Sequence, residues 1–458
     1  MWDSDFWWHI ASGKNIFETL SIPDKDPFNV YEGKGIRNDT VLKAEWLGQI
    51  ILFLFFKNFG LDGVILLKAA ILTICLLIVY LRSRFLGAHT TYTILTMFFV
   101  GMTALNFTGE RPQLLSFLYA STMFLLLDKY NGTGRNMWLF LLLAVIMFWS
   151  NSHGAVALGS SLLVLYTVCY AVESKFNEKS YFNKTFLLFI GVSILCTMIT
   201  PGGINKYLYV VQLQGSELQK RTSEYMSPFV VWKHTGNALL YYWFLLFMAL
   251  LSLYELFKYR ELNKFVTVFT LAVISLTAYR YVPFFIFLSG PYIALGLSRL
   301  KPNVKLPMTI INIAVVLISI FVLTVGLYNK KAFQSGVIEK RFPEDAVRFI
   351  KQKGIKGKIF NTMDWGGYLI WHLYPDSQIF IDGRLLDLNK LHKYTHILWT
   401  TSLGLDFFEQ EEFDLVLIPH RNRFTGETYT LIWYLLTNHQ WHVLYSDKQG
   451  YLFGRQTE

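Results

Sequence analysis

A mostly α-helical bundle that crosses the membrane many times, with a C-terminal α/β domain on its extracytoplasmic side, is the fold class this sequence predicts. Three observations carry the prediction. Only 16% of the 458 residues are charged, against 53% hydrophobic, whereas soluble domains carry about 25% charged residues. The deficit is uneven: long apolar runs fill residues 61–328, and 329–458 have the composition of an ordinary soluble protein. Basic residues are concentrated in every second connection between those runs. A formal charge of +10 therefore reads as membrane topology. No block of Lys and Arg is long enough for a nucleic-acid tract, so no nucleic-acid partner is expected. Cys75, Cys169 and Cys196 each lie inside an apolar run and read as small buried hydrophobes.

Residues 1–60 form the first segment, an extracytoplasmic loop that carries an acidic motif and interfacial helices. Its opening, MWDSDFWWHI, lacks the apolar core of a signal peptide. The run 46–59 is too short to span and predicts an amphipathic helix in the interface. A spanning helix needs roughly 17–25 apolar residues. Candidate spans are 61–82, 91–108, 113–128, 136–150, 154–173, 185–200, 238–257, 264–279, 282–298 and 307–328, about ten in all. One set of connections holds Arg82, Arg84, Lys129, Arg135, Lys175, Lys179, Lys184, Lys258, Arg260, Lys264, Arg299, Lys301 and Lys305. The opposite short set holds only Arg111 and Arg280. The first set is then cytoplasmic, which places 1–60, the loop 201–237 and the domain 329–458 outside.

In that domain, 343–354 read as a helix opened by Pro and closed by Gly. Strands are expected at 358–360, 379–381, 413–418, 441–445 and 451–453, and helices at 365–374, 387–399 and 427–438. Alternating strands and helices predict a small α/β sheet. Asp382-Gly383-Arg384 sits where such sheets place ligand sites, and equally suits a turn held by Asp and Gly.

The polar residues expected outside gather into few places. Asp3 and Asp5 flank Ser4 beside Phe6-Trp7-Trp8-His9. They read either as solvated acids in an aromatic belt or as carboxylates poised for cation binding or base chemistry. Glu45 precedes Trp46 and either favours a helix N-terminus or joins the Asp pair. Arg111, in the turn before Pro112, either snorkels or holds a phosphate. His153 lies in the turn Ser150-Asn151-Ser152-His153-Gly154, where a lone His is more often structural. The long loop after Thr200-Pro201 carries Glu224-Tyr225-Met226-Ser227-Pro228. Arg280 stands between two spans, a functional position by default.

These motifs together are those of bacterial multi-span membrane proteins that resemble the glycosyltransferase-C superfamily. The resemblance rests on Asp3, Asp5, Trp7, Trp8, His9 and Gly13; Glu45-Trp46-Leu47; Arg111-Pro112; Asn151, His153 and Gly154; and Gly366 to Trp371 with Phe380 to Arg384. It implies a plasma-membrane glycosyltransferase that takes its sugar from a polyprenyl-phosphate donor at the outer leaflet. The acceptor would be a glycan, lipid or protein. Asp5, then Asp3, match the superfamily's acidic motif, its catalytic base or metal ligand. A divalent cation, Mg2+ or Mn2+, would sit on Asp3 and Asp5. Arg111, Arg280, His153, Glu45 and His9 form the expected substrate- and phosphate-binding set. The superfamily places a spanning helix before the acidic motif, so a longer form with one more apolar helix upstream is expected. Two other classes fit the pattern less well. A transporter or flippase of a lipid-linked or anionic substrate would need charges within spans and repeated halves. A non-catalytic assembly protein would use the outer domain to bind a partner.

Overall fold

The computed structural model describes residues 3–30, 36–176, 180–213, 219, 223–230, 238–300, 341–385, 388–423 and 425–456. The expected span 307–328 lies outside the described residues. The chain divides into two compact units, one made of Met1–Leu61 with Gly336–Glu458 and the other of Asp62–Ser335.

In the first unit, helix α1 (Asp5–Thr19) begins directly at the acidic motif. Asp3 starts it by accepting the Asp5 N–H on Oδ1 at 3.0 Å, which satisfies one of the orphan donors of a helix N-terminus. The residues from Phe6 to Gly13 are all buried, so this helix sinks an apolar flank rather than lying as a solvated loop. Helix α2 (Ile36–Lys43) follows. Helix α3 runs from Trp46 to Phe85 and breaks at Gly60, whose φ of 61° and ψ of −151° are not helical. The segment expected to be a separate interfacial helix is thus the first arm of a kinked pair.

The second unit holds the apolar helices. They are the second arm of α3, then α4 (Thr90–Phe107), α5 (Gln113–Thr133), α6 (Met137–Ser152), α7 (Val156–Ser174), α8 (Lys184–Cys196), the short α9 (Asn205–Leu213), α10 (Ala238–Lys258), α11 (Leu262–Thr277) and α12 (Val282–Arg299). By length and composition four described helices can cross a membrane, within Trp46–Phe85, Val156–Ser174, Leu239–Lys258 and Tyr279–Arg299. Four shorter apolar helices accompany them. Every residue of α12 from Val282 to Leu297 is buried. A helix apolar all round belongs at the centre of a bundle, and α12 packs on α4, α5, α10 and α11.

The C-terminal part of the first unit continues with α13 (Glu344–Lys353), β1 (Gly357–Asn361), α14 (Met363–Leu373), β2 (Ser377–Ile379), α15 (Leu388–Leu398), α16 (Ser402–Gln410), β3 (Leu415–Pro419), α17 (Thr430–Thr437), β4 (Trp441–Ser446) and β5 (Gly450–Arg455). The sheet order is β2-β1-β3-β5-β4. The β2-β1-β3 pairs are parallel and β3-β5-β4 antiparallel. Parallel strands need covering on both faces, and Phe360, Phe380, Phe408 and Phe413 pack ring against ring there. Helix α16 is absent from the sequence expectation, although Thr401 caps it by accepting the Gly404 N–H. Helix α1 packs on α14, with Trp7 edge-on to Tyr368 at 5.1 Å.

Candidate active site

Four of the expected site residues fall in the first unit. Asp3 is buried and Asp5 half-buried at the start of α1. An acid in the first turn complements the positive end of the helix. The Asp5 carboxylate lies against Gly383, and a Cβ on residue 383 would overlap Asp5 Oδ1. A Cβ on Gly367 would come within 2.7 Å of the Ser4 carbonyl. The glycines of the GGYLIW and IDGR segments therefore leave room for the acidic end of α1. His9 is buried under Trp8, with ring centroids 3.5 Å apart. Its Nδ1 lies 3.7 Å from Glu45 Oε2. His9 and Glu45 thus meet each other.

Behind Asp5 is a buried ionic network that the sequence does not announce. Arg384 donates from Nη1 and Nη2 to the two oxygens of Asp26 at 2.9 and 3.0 Å. Its Nε and Nη2 donate to Asp382 at 2.9 and 2.7 Å. Asn29 adds a bond to Asp382 Oδ2 at 3.0 Å. All three charged side chains are at most 1% exposed. Burial alone would raise the Asp382 carboxyl. The charge and hydrogen bonds of Arg384 outweigh burial and hold it below its ordinary value. Of the two sequence readings of Asp382-Gly383-Arg384, the turn held by its own side chains is the one seen. Asp26 and Asn29 escaped notice because an Asp and an Asn in a polar loop look solvated until a distant Arg is folded onto them.

The other three expected residues lie in the second unit, at one end of its helices. Arg111 Nη1 pairs with Glu224 Oε1. The Arg280 guanidinium lies 4.5 Å from the centroid of the Tyr225 ring. Burial would raise the Glu224 carboxyl, but Arg111 and Arg280 together hold it below its ordinary value. His153 caps the end of α6 and is buried. Its Nδ1 accepts the Ala155 N–H at 3.0 Å. Trp149 Nε1 donates to Ser116 Oγ at 2.9 Å, so the Ser116 hydroxyl donates in turn to His153 Nδ1, also at 2.9 Å. That chain assigns the ring proton to Nε2. Burial, with Arg280 and Arg111 nearby, pushes His153 down to about 3. His153 is therefore neutral at pH 7 and offers an N–H, not the positive charge a cationic phosphate ligand would bring.

Two further cations belong to this end. Lys206 is buried on α9, points Nζ at the Ser150 carbonyl at 3.4 Å, and is pushed down to about 8 by burial. Lys68 donates to the Thr108 carbonyl at 2.7 Å and to Glu110 Oε1 at 2.9 Å. Glu224 was visible in the sequence as an acid in a long outer loop, but only folding shows that Arg111 is its partner.

Among the described residues, no group of three or more His, Cys, Asp or Glu side chains is arranged to hold a metal. Asp3 spends one oxygen on the Asp5 N–H, and Asp5 leans on Gly383. Two carboxylates alone do not fill the coordination sphere of a divalent cation.

No family model matches the sequence and no curated protein matches it. Solved structures do share its fold. The oligosaccharyltransferase AglB of Archaeoglobus fulgidus, solved with an inhibitory peptide and a dolichol-phosphate, matches with a TM-score of 0.64 and 12% identity, over 91% of this chain and 65% of that one. The apo form of the Archaeoglobus fulgidus oligosaccharyltransferase matches at 0.61 and 13% identity, over 92% and 66%. The mycobacterial arabinofuranosyltransferase AftD matches at 0.62 and 10% identity, over 100% of this chain and 38% of that one. The chain thus spans about two thirds of the archaeal structures' length. Its architecture, an apolar helix bundle with a small C-terminal sheet, thus shares its fold with these structures.

Proposed function

We propose that this protein is a membrane glycosyltransferase that moves a sugar from a polyprenyl-phosphate donor to a hydroxyl acceptor at the outer leaflet of a bacterial plasma membrane, with inversion. The observation that carries the reading is the acidic motif placed at the N-terminus of α1, in a fold shared with two kinds of glycosyltransferase. One of those was solved with a dolichol-phosphate.

In the reaction, Asp5 takes the proton of the acceptor hydroxyl. The hydroxyl oxygen forms the new bond to the anomeric carbon as the bond from that carbon to the phosphate oxygen breaks. The leaving lipid phosphate keeps the electron pair and gains a negative charge. Asp3 acts through Asp5 by fixing the helix start. Arg111 and Arg280 recognise the phosphate, with the His153 N–H as a neutral donor. In the absence of that phosphate Glu224 occupies Arg111. The donor phosphodiester offers the guanidinium fork two oxygens and one charge, as a carboxylate does, and the leaving phosphate offers more charge.

The test is incubation of the purified chain with a panel of polyprenyl-phosphate sugars and assay of released lipid phosphate. Release is expected for one donor class. Asp5→Asn should lower it by roughly 10²–10⁴-fold with expression unchanged, the usual range for losing a general base. No release across the panel, or full activity of the Asn variant, would overturn the reading.

A further inference from the structure

Lys68 stands on the second arm of α3, about two turns past the break at Gly60, beside the exposed apolar side chains of Ile65 and Leu66. A lysine within an apolar run is costly unless it is paired or led to the edge of the membrane. Lys68 reaches the turn between α4 and α5. Its Nζ donates at 2.7 Å to the carbonyl of Thr108, the residue that closes α4, and at 2.9 Å to Glu110 Oε1. Glu110 is buried. Its other oxygen, Oε2, has no hydrogen-bond partner among the described residues. Lys68 is therefore the cation that compensates this carboxylate. The next residue is Arg111. Its carbonyl accepts the Leu114 N–H at 3.0 Å and so opens α5, and its side chain pairs with Glu224. The turn that carries Arg111 is thus tied on one side to α5 and on the other, through Lys68, to α3. Without Lys68, Glu110 would be a buried carboxylate stripped of its partner, a state relieved by turning Glu110 out to water. That movement displaces Arg111, one peptide away.

We propose that Lys68, acting through Glu110, is a positioning residue that holds Arg111 where a lipid phosphate is bound. The inference rests on the reading of Arg111 as a phosphate ligand, and not on turnover. Lys68 touches no substrate in this role, because its N–H donors are directed at Glu110 and at the end of α4. A guanidinium fork matches two phosphate oxygens in one fixed geometry. A small displacement of the turn therefore loses the paired bonds and leaves only a point charge.

The full chain in detergent micelles is titrated with a polyprenyl monophosphate, and bound lipid is counted by native mass spectrometry with the uncharged polyprenol as control. Arg111→Ala and Lys68→Met should each weaken phosphate binding by about tenfold, the worth of one charge-assisted bond. The double variant should bind no more weakly than either alone, because both changes remove the same contact. Lys68→Arg, which keeps a charged donor, should bind close to the wild type. A pair that serves only stability would lower the thermal midpoint and leave the affinity alone, and that result overturns the proposal. So do losses that multiply to about a hundredfold in the double variant, and so does Arg111→Ala binding like the wild type. Glu110→Ala removes the tether without stranding a carboxylate, and takes the place of Lys68→Met in the cycle if that variant fails to fold. Turnover is scored separately: a chain that shows this coupling but releases no lipid phosphate from any sugar donor loses the transferase reading and keeps this one.

Discussion

Gly383 and Arg384 show how single residues hold the acidic end of α1. Gly383 has an ordinary backbone, so its requirement is space, not conformation. Gly383→Ala would push its methyl into Asp5 Oδ1. A displacement of about 1 Å at a reacting group can cost 10²-fold in rate. Lipid-phosphate release should therefore fall by about that factor while the thermal midpoint shifts little, and turnover measured beside thermal unfolding checks it. Arg384 has a different role. Arg384→Ala would strand Asp26 and Asp382 as buried carboxylates, and breaking a buried pair in this way costs about 3–5 kcal/mol. Denaturant unfolding of the variant should show a loss of that size. The pH dependence has a definite sign. Asp382 is held below its ordinary value, so its contribution is complete above the unfolded value of about 3.9 and is lost as pH falls through the lower, folded value. The wild-type chain should hold its midpoint through neutral pH, and the Asp382 part of its stability should disappear only in acid.

At the scale of elements, the kink in α3 is the clearest case of a residue fixing a chain path. The Gly60 φ of 61° with ψ of −151° lies in a region that is essentially glycine-only. Gly60→Ala should cost about 1–3 kcal/mol through backbone strain alone, since nothing lies within 4 Å of a Cβ built there. Thermal unfolding would show the loss without any change in neighbouring contacts. The sequence shows why 46–59 is a helix: it is apolar, ends in Asn58-Phe59-Gly60, and is too short to cross alone. It does not show that the two helices run on as one kinked helix through Gly60, because a glycine reads equally as a stop and as a bend. The strands and helices of 343–455 are better marked. Alternation, Pro343, Gly354 and the β-branched and aromatic runs put each strand within a few residues of its place. Helix α16 is the exception, with Gly404 and Asp406 disguising a short amphipathic turn.

For the whole molecule, the alternating placement of basic loops predicts which ends face the cytoplasm. Leu20 and Phe176 are 89% and 77% exposed, and so report topology without disturbing a core. In intact cells, Leu20→Cys should react with an impermeant maleimide from outside. Phe176→Cys should react only after the membrane is opened. Labelling of both from one side would contradict the orientation. The sequence by itself determined the membrane class, most of the helices and the identity of the acidic, Arg and His turns. Those features are written in local composition and periodicity, which fix how residues a few positions apart share a face. Only the tertiary structure decided their partners. Asp5 faces Gly383, Arg384 locks Asp26 to Asp382, and Arg111 is held by Glu224. Each of these contacts joins residues more than 100 positions apart, apart from the Asp382–Arg384 bonds, and no local pattern encodes which distant side chain will neutralise a buried charge. The acidic motif was legible as chemistry from its residue types, while the glycine cradle that gives Asp5 its place came from packing alone.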